Sequence, residues 1–296
     1  MHASINTSLR PAGKPMTPAG GLRLPPGIDR VSRRDAILVW LACILATLPA
    51  PAQTTTVRIG FLGTADTDAH RGARQGIDEA NAQGKFLALR YELVTVEDAS
   101  QAVAIGPSGI VAAVSPLRLL KLSGDAAGIP VLNATAPDDE LREECRGNLF
   151  HTIPSHAMHE DALQQWRRKN PRSQALARAW HPDFKKYAAA QLNRRYGEAF
   201  GRAMTDEAWA AWAAVKLLSD TVARTGSADP AIALESMQTD LAFDGQKGIG
   251  MSFRDTGQLR QPLLLVENDE IVGEAPVRGI VGITNLDSLG LPECPK

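Results

Sequence analysis

The chain has 296 residues, of which 44% are hydrophobic and 22% are charged, and its formal net charge at pH 7 is −1. This length is ample for a large hydrophobic core, arranged either as one large domain or as two smaller ones. Beyond residue 52 the chain carries 26 Lys and Arg against 31 Asp and Glu. This acidic balance argues against nucleic acid or an anionic membrane surface as a partner.

The first 52 residues resemble a secretory signal peptide with an extended basic region. Arg33 and Arg34 precede an apolar run at residues 36–48, and small residues at 50–52 supply a cleavage signal. Thirteen apolar residues are too few to span a bilayer as a helix. The paired arginines indicate twin-arginine export, but the Asp35 that follows fits general secretory export equally well. We therefore predict a periplasmic protein with no stable membrane insertion.

The first half of the mature chain alternates strand patterns with helix patterns. Continuous apolar runs predict strands near residues 56–63, 89–98, 109–115 and 129–135, and amphipathic patterns predict helices over 66–84, 116–128 and 156–170. Strands that are apolar throughout are buried on both faces, so an α/β fold with a parallel sheet is expected. Ligands of such sheets bind beyond the carboxyl ends of the strands. This rule selects the loops at Thr64, Ser115 and Asn133.

The second half has a different pattern. Helices are predicted over residues 205–226 and 230–239, with Trp209 and Trp212 as core anchors. Two apolar runs flank Asn268 and Asp269 and predict a hairpin. The predicted organisation is a signal peptide at residues 1–52, an amino-terminal α/β lobe at 53–170, and a reduced, mainly helical lobe with a hairpin and a tail at 171–296.

Three histidines near the middle of the chain raise the question of a metal site. His156 and His159 are three residues apart in a predicted helix, and His151 lies upstream. A third ligand at a diagnostic spacing is missing, so we favour a scaffold interpretation and predict no metal and no cofactor. On that interpretation His159 and Glu160 project away from the core. The buried face of the helix is then formed by Met158, Ala162, Gln165 and Trp166.

Two cysteines follow the predicted cleavage site. Cys145 and Cys294 form an even pair in an oxidising compartment, which predicts a disulfide that ties the tail to the first half of the chain. The alternative is a nucleophilic Cys145, since Arg142 and Arg146 would lower the pKa of its thiol. No nucleophile–base signature accompanies it, and phosphate-loop, nucleophile-elbow and dinucleotide motifs are missing from the sequence. We predict that the chain is not an enzyme.

Several segments resemble a known family. "VRIGFLG", "PVLNATAPDDEL" and "GMSFRDTGQLRQPLLLV" are similar to the type I periplasmic solute-binding proteins of branched-chain amino-acid ABC transporters. "CRGNLFHTIPS", "WHPDFKKYAAAQLNRRYG" and "NLDSLGLPEC" resemble the branch associated with pyrroloquinoline-quinone (PQQ) dependent alcohol dehydrogenase systems. The family has two α/β lobes. The segment that would supply strands of the second lobe, between residues 170 and 180, is much shorter here, so the resemblance implies an intact first lobe and a truncated second one.

The resemblance also implies where a ligand binds. In the family the first lobe holds its ligand through a hydroxyl and main-chain amides at the ends of the strands. Ser115 and the run Asn133, Ala134 and Thr135 occupy the matching positions, and Thr64 follows the first strand. Short hydroxyls and free N–H groups at loop-to-helix junctions hold a carboxylate well. The alternative is that Ser115 and Thr135 merely cap helices.

Two functions follow from the resemblance. The first is the solute-binding component of an ABC importer linked to PQQ-dependent alcohol oxidation, with a small-molecule ligand and the permease subunits as partners. The second is a periplasmic accessory or interaction protein that keeps the binding-protein scaffold and has lost the ligand clamp.

Overall fold

Five strands form one parallel sheet in the order β2-β1-β3-β4-β5. Their bounds are β1 Thr55–Gly63, β2 Leu89–Val96, β3 Gly109–Ala113, β4 Val131–Asn133 and β5 Leu149–His151. The computed structural model describes residues 54–283 and 285–294, so the predicted signal peptide lies outside the described residues. β4 and β5 are buried at every position because helices cover the sheet on both faces. The predicted α/β fold with a parallel sheet is confirmed.

The bounds of the eight described helices are α1 Asp68–Gly84, α2 Ala99–Ala104, α3 Pro116–Asp125, α4 Glu140–Glu143, α5 His156–Lys169, α6 Ala189–Phe200, α7 Asp206–Thr225 and α8 Pro230–Thr239. Five of the eight described helices match predicted ones, whereas α2, α4 and α6 were not predicted. Thr67, Ser155 and Thr205 cap α1, α5 and α7, each accepting a hydrogen bond from the main-chain N–H three residues later. No helix in the described part of the chain is long and apolar enough to cross a membrane.

The close contact between α1 and α7 builds the largest part of the core. A Cβ atom at Gly72 of α1 would lie 1.9 Å from the main-chain oxygen of Ala208, and one at Gly76 would lie 2.7 Å from Val215. These two glycines, one turn apart, let the helix axes approach. Trp209 and Trp212 are 0% and 2% exposed, which confirms their predicted role as core anchors.

A second sheet contains three antiparallel strands in the order β6-β7-β8, with bounds β6 Leu176–Arg178, β7 Leu263–Glu267 and β8 Glu270–Ala275. β7 and β8 are the predicted hairpin, and Asn268 and Asp269 turn the chain with φ of 52° and 63°. The short strand β6 was not predicted. Its three residues are half-buried or exposed, and its partner β7 lies far along the chain, so neither periodicity nor spacing reveals it.

The packing of the helices crosses residue 170, the predicted limit between the lobes at 53–170 and 171–296. α5 precedes this residue and packs on β6 and β7 of the second sheet, whereas α7 follows it and packs on β3 and β4 of the first. Met158, Ala162 and Gln165 of α5 are buried as predicted. Trp166 is half-buried, and its indole N–H donates to the hydroxyl of Ser173 over 2.8 Å.

Candidate functional site

The parallel sheet has a topological switch point between β1 and β3. β1 pairs with β2 on one side and with β3 on the other, so the strand order reverses between β1 and β3. Open α/β sheets bind ligands in the crevice at such a switch point. Gly63 pairs with Ala113 at the ends of these strands. Thr64 directly follows β1 and Ser115 lies two residues beyond the end of β3; both are exposed, and both lie at the switch point.

Ser115 occupies the N-cap position of α3 without using its hydroxyl as a cap. Its main-chain oxygen accepts from Leu119 over 3.0 Å, but its side chain makes no capping hydrogen bond. Pro116 takes the first helical position, where the missing N–H costs nothing. The hydroxyl of Ser115 is thus not engaged by the backbone of its own helix, and the residue is exposed.

Asn133 and Ala134 have their polar groups committed within the protein. The Oδ1 atom of the fully buried Asn133 accepts from the main-chain N–H groups of Thr135 and Ala136 over 3.2 and 2.9 Å. The N–H of Ala134 donates to Ala112 over 3.0 Å. Buried amides satisfy their donors and acceptors internally, so these residues shape the loop after β4 instead of offering free groups. Thr135 is half-buried, and its hydroxyl makes no hydrogen bond within residues 54–283 and 285–294.

His151 is part of the same buried network. Because Oδ1 of Asn133 accepts two hydrogen bonds, Nδ2 is a donor, and it lies 3.0 Å from Nδ1 of His151. Nδ1 is therefore an acceptor, and the imidazole is neutral with its proton on Nε2. Burial, and then the charge of Arg142, lower the pKa of His151 well below 6.5. Among the described residues no group of three His, Cys, Asp or Glu side chains is arranged to hold a metal ion.

Arg142 holds the loops around the crevice in place. It is 1% exposed, and its guanidinium donates to the main-chain oxygens of Ala136, Asp138 and Ile153 and to Oε1 of Gln258. Burial lowers its pKa to about 9. From the sequence it was considered only as a neighbour of Cys145, because its acceptors lie in three separate segments of the chain.

Cys145 and Cys294 form a disulfide with their Cα atoms 6.0 Å apart. The predicted pairing is present, and it replaces the interpretation of Cys145 as a nucleophile because the sulfur is already bonded. The tail is held further by Arg254, which donates to the main-chain oxygens of Leu286 and Leu291 over 2.7 and 3.1 Å.

His159 corrects one prediction from the helical pattern. Its Nε2 atom is buried and has no hydrogen-bond partner within the described residues. Burial is the main cause that lowers the pKa of His159, and the carboxylate of Asp206, at the start of α7, acts in the opposite direction. Asp206 also forms an ion pair with Arg178 of β6 at 3.6 Å. Periodicity identified only the most apolar face of α5, whereas the protein also covers the side that carries His159.

No family model matches the chain, and no curated protein matches it. Several solved structures, in contrast, are similar to the chain in fold. The substrate-binding protein LivJ of Streptococcus pneumoniae, in complex with isoleucine, aligns over 74% of this chain and 99% of its own with a TM-score of 0.61 and 12% identity. A branched-chain amino-acid ABC transporter ligand-binding protein of Burkholderia xenovorans aligns over 78% of this chain and 96% of its own, with a TM-score of 0.62 and 12% identity. A solute-binding protein of Rhodopseudomonas palustris, in complex with 3,4-dihydroxybenzoic acid, aligns over 74% of this chain and 94% of its own. Its TM-score is 0.59 and its sequence identity is 10%.

The fold is that of the type I periplasmic binding proteins. At 10–12% identity the likeness shows the architecture alone. In this fold Thr64 and Ser115, both exposed, lie at the carboxyl edge of the parallel sheet.

A large cavity of the same fold lies on the second sheet. It measures about 970 Å³ and contains none of the five predicted ligand residues, Thr64, Ser115, Asn133, Ala134 and Thr135. Its walls are residues 271–278, which include most of β8, together with residues 183–187, residues 247–249, Trp166, Pro262 and the tail residues Ile283, Asn285 and Leu286. We refer to it as the β8-edge slot.

Proposed function

We propose that this chain is an exported solute-binding protein that captures a small molecule for an ABC importer. The observation that carries the proposal is the position of Thr64 and Ser115 at the switch point between β1 and β3, where open α/β sheets bind their ligands. The free hydroxyl of Ser115 supports binding over helix capping. Thr135, on the next strand end, is the third proposed contact, whereas Asn133 and Ala134 support the loop.

The narrower parts of the proposal rest on the sequence. The segments "CRGNLFHTIPS" and "NLDSLGLPEC" support a link to PQQ-dependent alcohol oxidation, and residues 1–52 support export to the periplasm. Permease subunits are the proposed protein partners, in keeping with the transporter substrate-binding proteins that share the fold.

A thermal-shift screen tests ligand capture. Isoleucine, leucine and 3,4-dihydroxybenzoic acid are natural first compounds because neighbours in the fold bind them, and small acids, alcohols and PQQ complete the set. A ligand present at a hundred times its dissociation constant stabilises the folded state by about 2.7 kcal/mol. The melting temperature of the protein should therefore rise clearly. A screen without any shift would remove the support for solute capture.

Substitutions at the crevice test the site itself. We expect the double variant Ser115→Ala and Thr135→Ala to abolish binding in calorimetry without loss of the fold, since the Ser115 hydroxyl caps no helix and the Thr135 hydroxyl has no described partner. The matched control is Thr54→Ala with Thr55→Ala, two exposed threonines at the opposite end of β1. Unchanged affinity in the crevice variant would place the ligand elsewhere.

The second candidate function is a periplasmic accessory protein that binds another protein. The open β8-edge slot favours it, because exposed apolar surface marks interaction sites. We further propose that a second lobe shortened between residues 170 and 180 leaves this surface open. This function would be supported over solute capture if no small molecule raised the melting temperature of the protein but a specific partner co-purified with it.

A further inference from the structure

The β8-edge slot has the size and the lining of a small-molecule cavity. Its volume of about 970 Å³ lies at the upper end of the range of ligand pockets, which is about 300–1,000 Å³. Trp166, Phe184 and Tyr187 line it together with aliphatic side chains and a few charged ones. Pockets for organic ligands combine apolar and aromatic walls with a small number of polar groups in this way.

A buried lysine lies in the wall of the slot. Lys247 is 5% exposed, and its Nζ atom donates to Oε1 of Gln261 over 2.7 Å and to the main-chain oxygen of Pro262 over 3.0 Å. The same atom lies 3.8 Å from the ring centre of Trp209. Lys247 and Pro262, which meet at this ammonium group, both line the slot. The charge therefore lies beside the cavity.

Lys247 forms no ion pair with any carboxylate in the part of the chain that the structure describes. The groups that contact its Nζ atom are neutral. The charge of Asp206 acts on it from farther away, but burial has the larger effect and lowers the pKa of Lys247 well below its usual value. A buried charge without a counter-ion is costly. An anion in the slot would supply the countercharge and stabilise the ammonium form.

The ring of Tyr187 is held in place beside this lysine. A Cβ atom at Gly248, the residue after Lys247, would lie 2.4 Å from ring atoms of Tyr187, so the ring packs directly on the glycine backbone. Tyr187 is nevertheless 52% exposed. Tyr187 and Ala188 have φ of 51° and 68°, a conformation that is uncommon for residues other than glycine and concentrates at functional sites. The protein thus presents an exposed aromatic ring next to Lys247.

Cationic side chains outnumber carboxylates in the lining of the slot. Lys186 and Glu274 form an ion pair at 2.6 Å and neutralise each other. Lys185 and Arg278 are exposed and form no ion pair within the described residues, whereas Asp183 is the one other carboxylate of the lining. With Lys247, the slot carries a net positive charge, which attracts an anion.

We propose that the β8-edge slot binds an aromatic carboxylate, whose ring packs against Tyr187 and whose acid group is held at Lys247. The acid group provides the counter-ion of the buried ammonium, and the ring covers the exposed face of Tyr187. This site lies on the second sheet, whereas the ligand site proposed at the switch point between β1 and β3 lies on the first. Different variants test the two sites, so the failure of one proposal leaves the other standing.

Calorimetry of the oxidised mature protein with naphthalene-2-carboxylate as the probe tests the site. Naphthalene-2-methanol has the same ring without the charge, so it should bind about tenfold more weakly or less. Lys247→Met keeps the length and the apolar part of the side chain but removes the charge, and it should abolish the preference for the carboxylate. The matched control is Lys85→Met at the exposed residue after α1, which should bind the probe as the wild type does.

Tyr187 provides a second test that does not depend on the buried lysine. Because its ring is exposed, Tyr187→Ala should fold and should lower the affinity for the carboxylate about tenfold, whereas Tyr187→Phe keeps the ring and should retain the wild-type affinity. Circular dichroism checks the fold of each variant, and the Tyr187 variants decide if Lys247→Met does not fold. The proposal would be overturned if the wild type did not bind the carboxylate, if both probes bound equally, or if folded Lys247→Met or Tyr187→Ala kept the wild-type affinity.

Discussion

At the scale of single residues, buried polar side chains define the loops at the carboxyl edge of the sheet. Asn133 fixes the tautomer of His151, and Arg142 gathers acceptors from three segments. Removing one member of such a network leaves the others unsatisfied, which costs more than the lost hydrogen bond itself. The geometry of the proposed crevice therefore depends on residues that do not contact its ligand.

The neutral state of His151 predicts a pH dependence of stability. Its pKa in the folded protein lies well below 6.5, so the unfolded chain takes up the proton first as the pH falls. The stability that the neutral His151 contributes is fully present above about pH 6.5. It is lost as the pH falls below this value, at up to about 1.4 kcal/mol per pH unit. In His151→Gln, urea denaturation should show a smaller loss of free energy of unfolding between neutral and mildly acidic pH than in the wild type.

The control for this experiment is His156→Gln, since His156 is exposed at the start of α5. Its free energy of unfolding at neutral pH should stay within about 0.5 kcal/mol of the wild-type value, as for most exposed positions. His70 and His159 also have lowered pKa values, so some slope persists in every variant. An identical slope in His151→Gln and the wild type would contradict a neutral buried imidazole.

At the scale of elements, the contact between α1 and α7 depends on residues that have no side chain. Gly72 faces the backbone of Ala208, and Gly76 faces Val215. A methyl group at either position would push α7 away from α1 and loosen the packing of Trp209 and Trp212, which are nearly fully buried.

Gly72→Ala should therefore destabilise the protein by about 1–3 kcal/mol or more, as overpacked cores do. The measurement is the midpoint of chemical denaturation. Gly197→Ala is the matched control, because Gly197 lies within α6 and the nearest atom to its added Cβ is 3.9 Å away. That variant should gain about 0.5–1 kcal/mol from the better helix propensity of Ala. Equal effects of the two substitutions would show that α1 and α7 do not approach as described.

At the scale of the whole molecule, the tail ties distant parts of the chain together. The disulfide joins residues 149 positions apart. Close to it, Gln165 of α5 donates to the main-chain oxygen of Ser288, and Asp161 accepts from the N–H of Gly290. These hydrogen bonds keep the tail seated against α5 in the folded state, so the disulfide acts mainly by restricting the unfolded chain.

The double variant Cys145→Ser and Cys294→Ser should fold and lose about 2–5 kcal/mol of stability, in line with a long closed loop. Guanidinium denaturation with and without reductant measures the loss. The wild type should fall to the stability of the variant when reduced, and the variant should be insensitive to reductant. A wild type that reductant leaves unchanged would contradict the pairing in the mature protein.

Local features of the sequence were sufficient to predict much of the fold. Apolar runs separated by capped helices indicated the parallel sheet, since buried strands and amphipathic helices have distinct periods. Asn268 and Asp269 predicted the hairpin because a two-residue turn needs residues that tolerate positive φ. Trp209 and Trp212 were placed in the core by their spacing. Cys145 was paired with Cys294 because these are the two cysteines that follow the predicted cleavage site.

The tertiary structure decided everything that depends on partners far along the chain. It added β6, a three-residue strand that exists only because β7 supplies its hydrogen bonds. It showed that Asn133 is committed to the scaffold while the hydroxyl of Ser115 does not cap its helix, although the sequence places both as polar residues near the carboxyl ends of strands. It also showed that other segments bury the Nε2 atom of His159, on a side of α5 that helical periodicity does not mark as apolar. A side chain's role follows from which atoms surround it, and the packing of distant segments determines those atoms.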